Sequence, residues 1–233
     1  MKKLNITESL IYKLIYEVSP IVEEITGWSL LVDSLSPRVL PKDRGYEEVL
    51  LGRLQGAGIE IDEEHPRTLI ERLIEYIVEA NVLAAYQPST NELLIIRENV
   101  DDSNLDGLKL VVAHELVHRG QHVNYGHLFE CVDDVFREVF YSLAYEEATL
   151  KDIIQKMSKI KPIMTLLESH AYYIQELLRK TNFPNAEIES HFNLATILLR
   201  LLGQAKLSQY TEGIPEIASA IEAGDIDSLY SRF

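Results

Sequence analysis

The chain has 233 residues, 46% hydrophobic and 25% charged, enough for a substantial core in one domain with two lobes. Its 37 acids against 22 bases leave a net charge of −15, and the densest basic group, Lys156, Lys159 and Lys161, reads as a solvated helix face, which argues against a nucleic-acid partner. Cys131 is the single cysteine, so an intrachain disulfide and a four-cysteine zinc site are both excluded, and any metal falls to histidine and carboxylate.

Leu4, Ile6, Leu10, Ile11, Leu14, Ile15 and Val18 recur at helical spacing, which predicts an amphipathic opening helix running to Ile25 and stopping at Gly27. The polar residues among them interrupt any secretory apolar run, and no uncharged stretch is long enough to span a bilayer, so the expected placement is cytoplasmic with no membrane partner. Asn5-Ile6-Thr7 matches a glycosylation acceptor only by form. Trp28 to Leu35 suits a strand or extended segment, and Pro37, Pro41 and Gly45 then break the pattern. Helices are expected from Tyr46, with Val49, Leu50 and Leu54 on one side, and after Pro66, where Leu69 to Val78 keep helical period. Val82 to Tyr86 and Leu93 to Arg97 flank Gln87-Pro88-Ser89-Thr90-Asn91 and predict a β-hairpin. The polar run from Glu98 to Gly107 has the composition of a helix cap, and from Leu128 onward the chain reads as helices punctuated by Pro162, Pro184, Gly203 and Gly213 to Pro215. The expected class is α+β, with a small antiparallel-containing sheet in an N-terminal lobe, 1–107, and a mainly helical lobe, 108–233.

Between cap and helices lies Val111-Val112-Ala113-His114-Glu115-Leu116-Val117-His118, an H-E-x-x-H motif in an apolar run. Histidines at i and i+4 stand one turn apart on the same helix face, so both imidazoles can reach one Zn²⁺. Glu115 can then take a proton from water on that metal, as a general base does.

A catalytic zinc usually takes three protein ligands. His122 continues the i, i+4 series, but its backbone lies about 12 Å from that of His114 by helical rise, so it could turn back only if the helix broke at Gly120. The metzincin extension needs glycine and histidine where this chain has Gln121 and Asn124, and the inverted H-x-x-E-H order does not occur. A glutamate on a separate downstream helix remains. Glu168 lies in Ile163 to Ile174 among apolar neighbours, where it needs either a cation or a solvated face.

The H-E-L-V-H helix around His114 to Gln121 and the segment Leu166-Leu167-Glu168-Ser169-His170-Ala171 together resemble a group of zincin-like hydrolases of thermolysin-like (gluzincin) type, some labelled as associated with deazaflavin-coenzyme biosynthesis. That group has Leu-Leu-Glu-Gly-His-Ala in the second segment, with the glutamate as inferred third ligand, so Ser169 replaces a glycine here. The resemblance implies a single zincin-like domain over 1–233, one Zn²⁺ on His114, His118 and Glu168, and hydrolysis of a peptide or protein substrate assisted by Glu115. It leaves oligomeric state and cleavage specificity open. Two further departures are Arg119, where an uncharged residue is usual, and Tyr172, where an acid one turn after the ligand glutamate would orient a histidine. His127, His170, Tyr172 and Tyr173 are the candidate oxyanion donors, with His170 pointing off the Glu168 face, and Leu93 to Arg97 is the candidate edge for an extended peptide. The rival reading is a zincin-fold module that holds metal or a protein partner without turnover.

Overall fold

Thr7 opens the first helix, α1 (Glu8–Thr26), by accepting the Leu10 amide on its hydroxyl, and Gly27 closes it in the left-handed region at φ 72°, with its N–H on Glu23. The computed structural model describes residues 3–45, 48–49, 82–145, 149–186 and 213–233. The helices expected from Tyr46 and after Pro66 lie outside the described residues, as does Gly203, so those expectations are neither met nor missed.

Three strands form one mixed sheet in the order β1-β3-β2: β1 is Ser36–Leu40, β2 Ala84–Gln87 and β3 Glu92–Ile96. β1 runs parallel to β3 with Ser36 opposite Glu92, and β2 is antiparallel to β3 with Tyr86 opposite Leu93. The hairpin stands within two residues of its expected bounds, its turn passing through Asn91 at φ 56°. The first strand is a correction. Trp28 to Leu35 carries no strand, and β1 instead contains Pro37, tolerated because β1 pairs on one side only among the described residues. A second correction follows from the strand order: β3 lies between two partners, so Leu93 to Arg97 offers no edge to a peptide. Among the described residues the outer edge beside the helices is β2.

Asn104 caps the next helix, α2 (Leu105–Tyr145), by accepting the Gly107 amide, as the polar composition before it predicts. The helix does not break at Gly120. A side chain there would meet Leu30 and the Trp28 ring at 2.8 and 2.9 Å, so Gly120 serves close packing, and the backbone departs from helical values at Tyr125 instead (φ −136°, ψ 46°). A Thr149–Asp152 capping box starts α3 (Leu150–Thr181), which runs through Pro162 rather than stopping there. Buried Ile153, Met157, Ile160, Met164 and Leu167, on both sides of that proline, hold α3 against α2. Two short helices, α4 (Ile214–Ala223) and α5 (Ile226–Tyr230), close on α3, with Gly213 so near Ser169 that a Cβ would stand 2.5 Å from its hydroxyl.

The architecture is thus α+β, mostly helical, with one face of the sheet and α1 enclosing α2 in a single apolar core. Among the described residues no helix is long and apolar enough to cross a membrane.

Candidate metal centre

Apart from His114 and Glu115, α2 is apolar from Leu110 to Val117, and this whole stretch is buried, which brings the two polar residues inside with it. α3 lies alongside and turns Glu168 toward the two histidines. Glu168 is 8% exposed, which removes the solvated alternative and leaves the need for a cation.

The donor atoms converge. His114 Nε2 and His118 Nε2 stand 3.2 Å apart, with Glu168 Oε2 3.6 Å from the first and Oε1 3.5 Å from the second. Around a four-coordinate ion with bonds of ~2.0–2.2 Å, neighbouring donors are ~3.3–3.6 Å apart. Glu168 Oε2 is buried without a hydrogen-bond partner, an acceptor left with nothing to accept. His114, His118 and Glu168 therefore form a buried group that could hold a metal ion.

The outer ring nitrogens fix the tautomer. His114 Nδ1 lies 2.8 Å from Gln175 Oε1, and His118 Nδ1 lies 2.7 Å from Gln121 Oε1. An amide oxygen only accepts, so each Nδ1 carries a proton and Nε2 is the nitrogen each ring can offer to an ion as a lone pair. Tyr172 was the position expected to orient a histidine; the two glutamines do so instead. Helical spacing could have found both, because Gln175 lies seven residues after Glu168 on the same face and Gln121 three after His118.

Without metal the three groups share charge. Burial alone would lower the His118 pKa, but the facing Glu168 carboxylate overrides it and raises the ring to about 9. Burial likewise pushes Glu168 up, and the charge on the facing histidines, His118 foremost, brings it down to about 2. A proton thus occupies the place where a cation fits, and the two compete.

Glu115 is fixed from the sheet. Tyr86 N–H on β2 donates to its Oε2 at 2.7 Å, across the edge where an antiparallel strand turns alternate amides outward. Glu115, His118 and Glu168 line one side of a cleft whose other described walls include Ala84, Ala85, Gln87, Pro88, Phe129, Val132, Met164 and Leu167.

The remaining candidates lie elsewhere. Arg119 points away from the cluster, donating to Leu30 O at 3.2 Å, Tyr86 Oη at 2.9 Å and Ser34 Oγ at 3.1 Å, so its charge does not oppose a cation there. His122 Nδ1 meets the same tyrosine hydroxyl at 2.7 Å, which rules it out of the cluster. Of the proposed oxyanion donors, His127 is exposed, Tyr173 packs against the core, and none of the four is among the described residues lining the cleft. His170 is fully buried, its Nδ1 taking the Tyr230 hydroxyl at 2.8 Å and its ring edge-on to Trp28 at 5.0 Å. Burial and the neighbouring His118 charge drive its pKa down to about 3. Tyr230 in turn accepts from Gln121 Nε2 at 2.9 Å, so a line of hydrogen bonds joins His118 to α5. Comparison of the chain with protein-family models, with curated proteins and with solved structures finds no match.

Proposed function

We propose that the protein is a zinc-dependent hydrolase of peptide or other amide bonds, with a thermolysin-like zincin core. The observation that carries this reading is the convergence of two neutral Nε2 donors and one carboxylate, locked from behind by Gln175 and Gln121, beside a separately tethered Glu115. Two imidazoles with one carboxylate suit zinc over magnesium or calcium, which favour oxygen ligands. His114, His118 and Glu168 would hold the ion, which supplies the charge that polarises a substrate carbonyl and lowers the pKa of water.

The protein's own groups do the rest. Glu115 accepts the proton of the attacking water and returns it to the leaving nitrogen. The Tyr86 N–H occupies Oε2, leaving the other oxygen to carry that proton. The outward edge of β2, at Ala84 and Tyr86, is the wall on which an extended substrate can lie. A site that only holds metal has no use for a tethered base, so Glu115 favours turnover over the non-catalytic module.

The test is to load the protein with Zn²⁺, measure bound metal, and assay a panel of unstructured peptides with a chelator control. The wild type is expected to bind one zinc per chain and cleave. Glu115→Gln is expected to keep the zinc and lose at least ~100-fold in rate, of the order general-base catalysis contributes. Failure to bind zinc, or full activity in Glu115→Gln, overturns the reading.

A further inference from the structure

Three buried side-chain atoms among the described residues have no hydrogen-bond partner: Glu168 Oε2, His170 Nε2 and Gln87 Nε2. The first belongs to the metal cluster. The second sits on a ring edge-on to the Trp28 indole, an apolar setting in which a weak N–H to π contact is the available compensation. Gln87 has no such account.

Gln87 is the last residue of β2, its backbone paired with Glu92 of β3 and the residue 5% exposed. It is the neighbour of Tyr86, whose amide tethers Glu115, so it stands one strand residue, ~3.4 Å, further along the edge that faces the site. Gln87 lines the same cleft as Glu115, His118 and Glu168. A primary amide carries two N–H donors, and burying them unpaired is costly enough that native proteins rarely do so without a use. The chemistry of the cleft supplies that use. Glu115 and Glu168 present acceptors, and the nearby Arg119 spends its donors on Leu30, Tyr86 and Ser34. A carbonyl oxygen entering there needs a donor, and Gln87 Nε2 is a buried one without an acceptor.

We infer that Gln87 is a substrate-binding residue, its Nε2 donating to a backbone carbonyl of an uncharged peptide lying along β2. The inference rests on the hydrolase reading above and deepens it by naming a residue that selects an amide carbonyl. It makes two demands that a residue with a purely structural role would not meet together. Replacing Gln87 by an apolar residue weakens ligand binding, and it also stabilises the ligand-free fold, because an unpaired donor is removed.

The experiment uses zinc-loaded Glu115→Gln protein, so that binding is read without turnover, and a set of short N-acetylated, C-amidated apolar peptides as probes. Gln87→Leu, with Gln87→Met as the more adaptable replacement, is expected to weaken the best-bound peptide about 3- to 10-fold, in line with the loss of one hydrogen bond. Both variants are expected to melt about 2–4 °C higher than the parent when ligand-free. Equal peptide affinity in parent and variants overturns the inference while leaving the hydrolase reading intact. Lowered melting temperatures in both variants also overturn it, since the amide would then be serving the fold. Failure of every peptide to bind the zinc-loaded parent overturns the inference and the peptide-substrate reading together.

Discussion

Two pockets lie back to back on α3. Glu168 faces the cleft and His170, two residues on, faces the aromatic cluster of Trp28, Tyr125 and Tyr230. Each holds a histidine largely withdrawn from solvent, yet His118 rises to about 9 and His170 falls to about 3. The difference is carboxylate charge, Glu168 first and Glu115 after it, together with the Gln121 bond. In the aromatic pocket burial acts unopposed and the ring stays neutral; in the cleft Glu168 makes positive charge welcome. Burial thus sets how strongly a pocket responds, and the facing partner sets the sign.

The sharpest way to break that contrast is Glu168→Gln, which keeps the shape and removes the charge. Zinc affinity, measured by competition with a chelator, is expected to fall by more than the ~100-fold that marks loss of an outer partner. In the ion-free variant the His118 pKa, followed by NMR, is expected to drop below 6.5 and join His170 on the other side of its ordinary value.

Gln121→Leu leaves all three ligands in place but frees the Nδ1 proton of His118 from its acceptor. Zinc affinity is expected to fall ~10–100-fold. An unchanged affinity would mean that the tautomer is set by something else.

The smallest effect is in the pH profile of ion-free stability. His118, with a pKa raised from 6.5 to about 9, stabilises the fold fully below pH 6.5 and loses that contribution as pH rises toward 9. His170, lowered from 6.5 to about 3, contributes above pH 6.5 and loses its contribution as pH falls toward 3. Glu168, lowered from 4.5 to about 2, adds to the loss only at the acid end, as pH falls from 4.5 toward 2. These groups therefore place a stability maximum near pH 6.5 in the chelated protein, measurable by urea unfolding across pH. His170→Phe is expected to flatten the acid side between pH 6.5 and 4.5 while changing zinc affinity less than about twofold, because its ring touches the cluster only through Tyr230 and Gln121.

How much of this was legible in the chain follows from which signals are local. The opening helix and its stop at Gly27 were readable because amphipathic period and a left-handed cap are written in neighbouring residues. So was the hairpin, and so was the pairing of His114 with His118. Glu168 could be found because an acid among apolar neighbours poses a question that a cation answers. β1 could not, because Pro37 argues against a strand and the pairing that overrides it comes from β3, more than fifty residues away. Pro162 misled for the matching reason, since packing against α2 outweighs a break in propensity. The identity of the edge strand was out of reach, because hairpin signals reveal that two strands pair without revealing what lies on their far sides. Gln87 was read as a turn residue, and nothing in its neighbours marks an amide that will be buried unpaired.

The hydrogen-bond line from His118 through Gln121 to Tyr230 carries a consequence in both directions. Tyr230 lies 109 positions from Gln121 and is fully buried, so its hydroxyl is supplied only when α5 is seated. Whatever free energy a seated α5 lends to a cation at His118, a cation must by reciprocity lend to the seating of α5. The site and a helix that touches none of its ligands directly are then one thermodynamic unit, and protection of α5 from proteolysis becomes a gauge of occupancy read from outside the cleft.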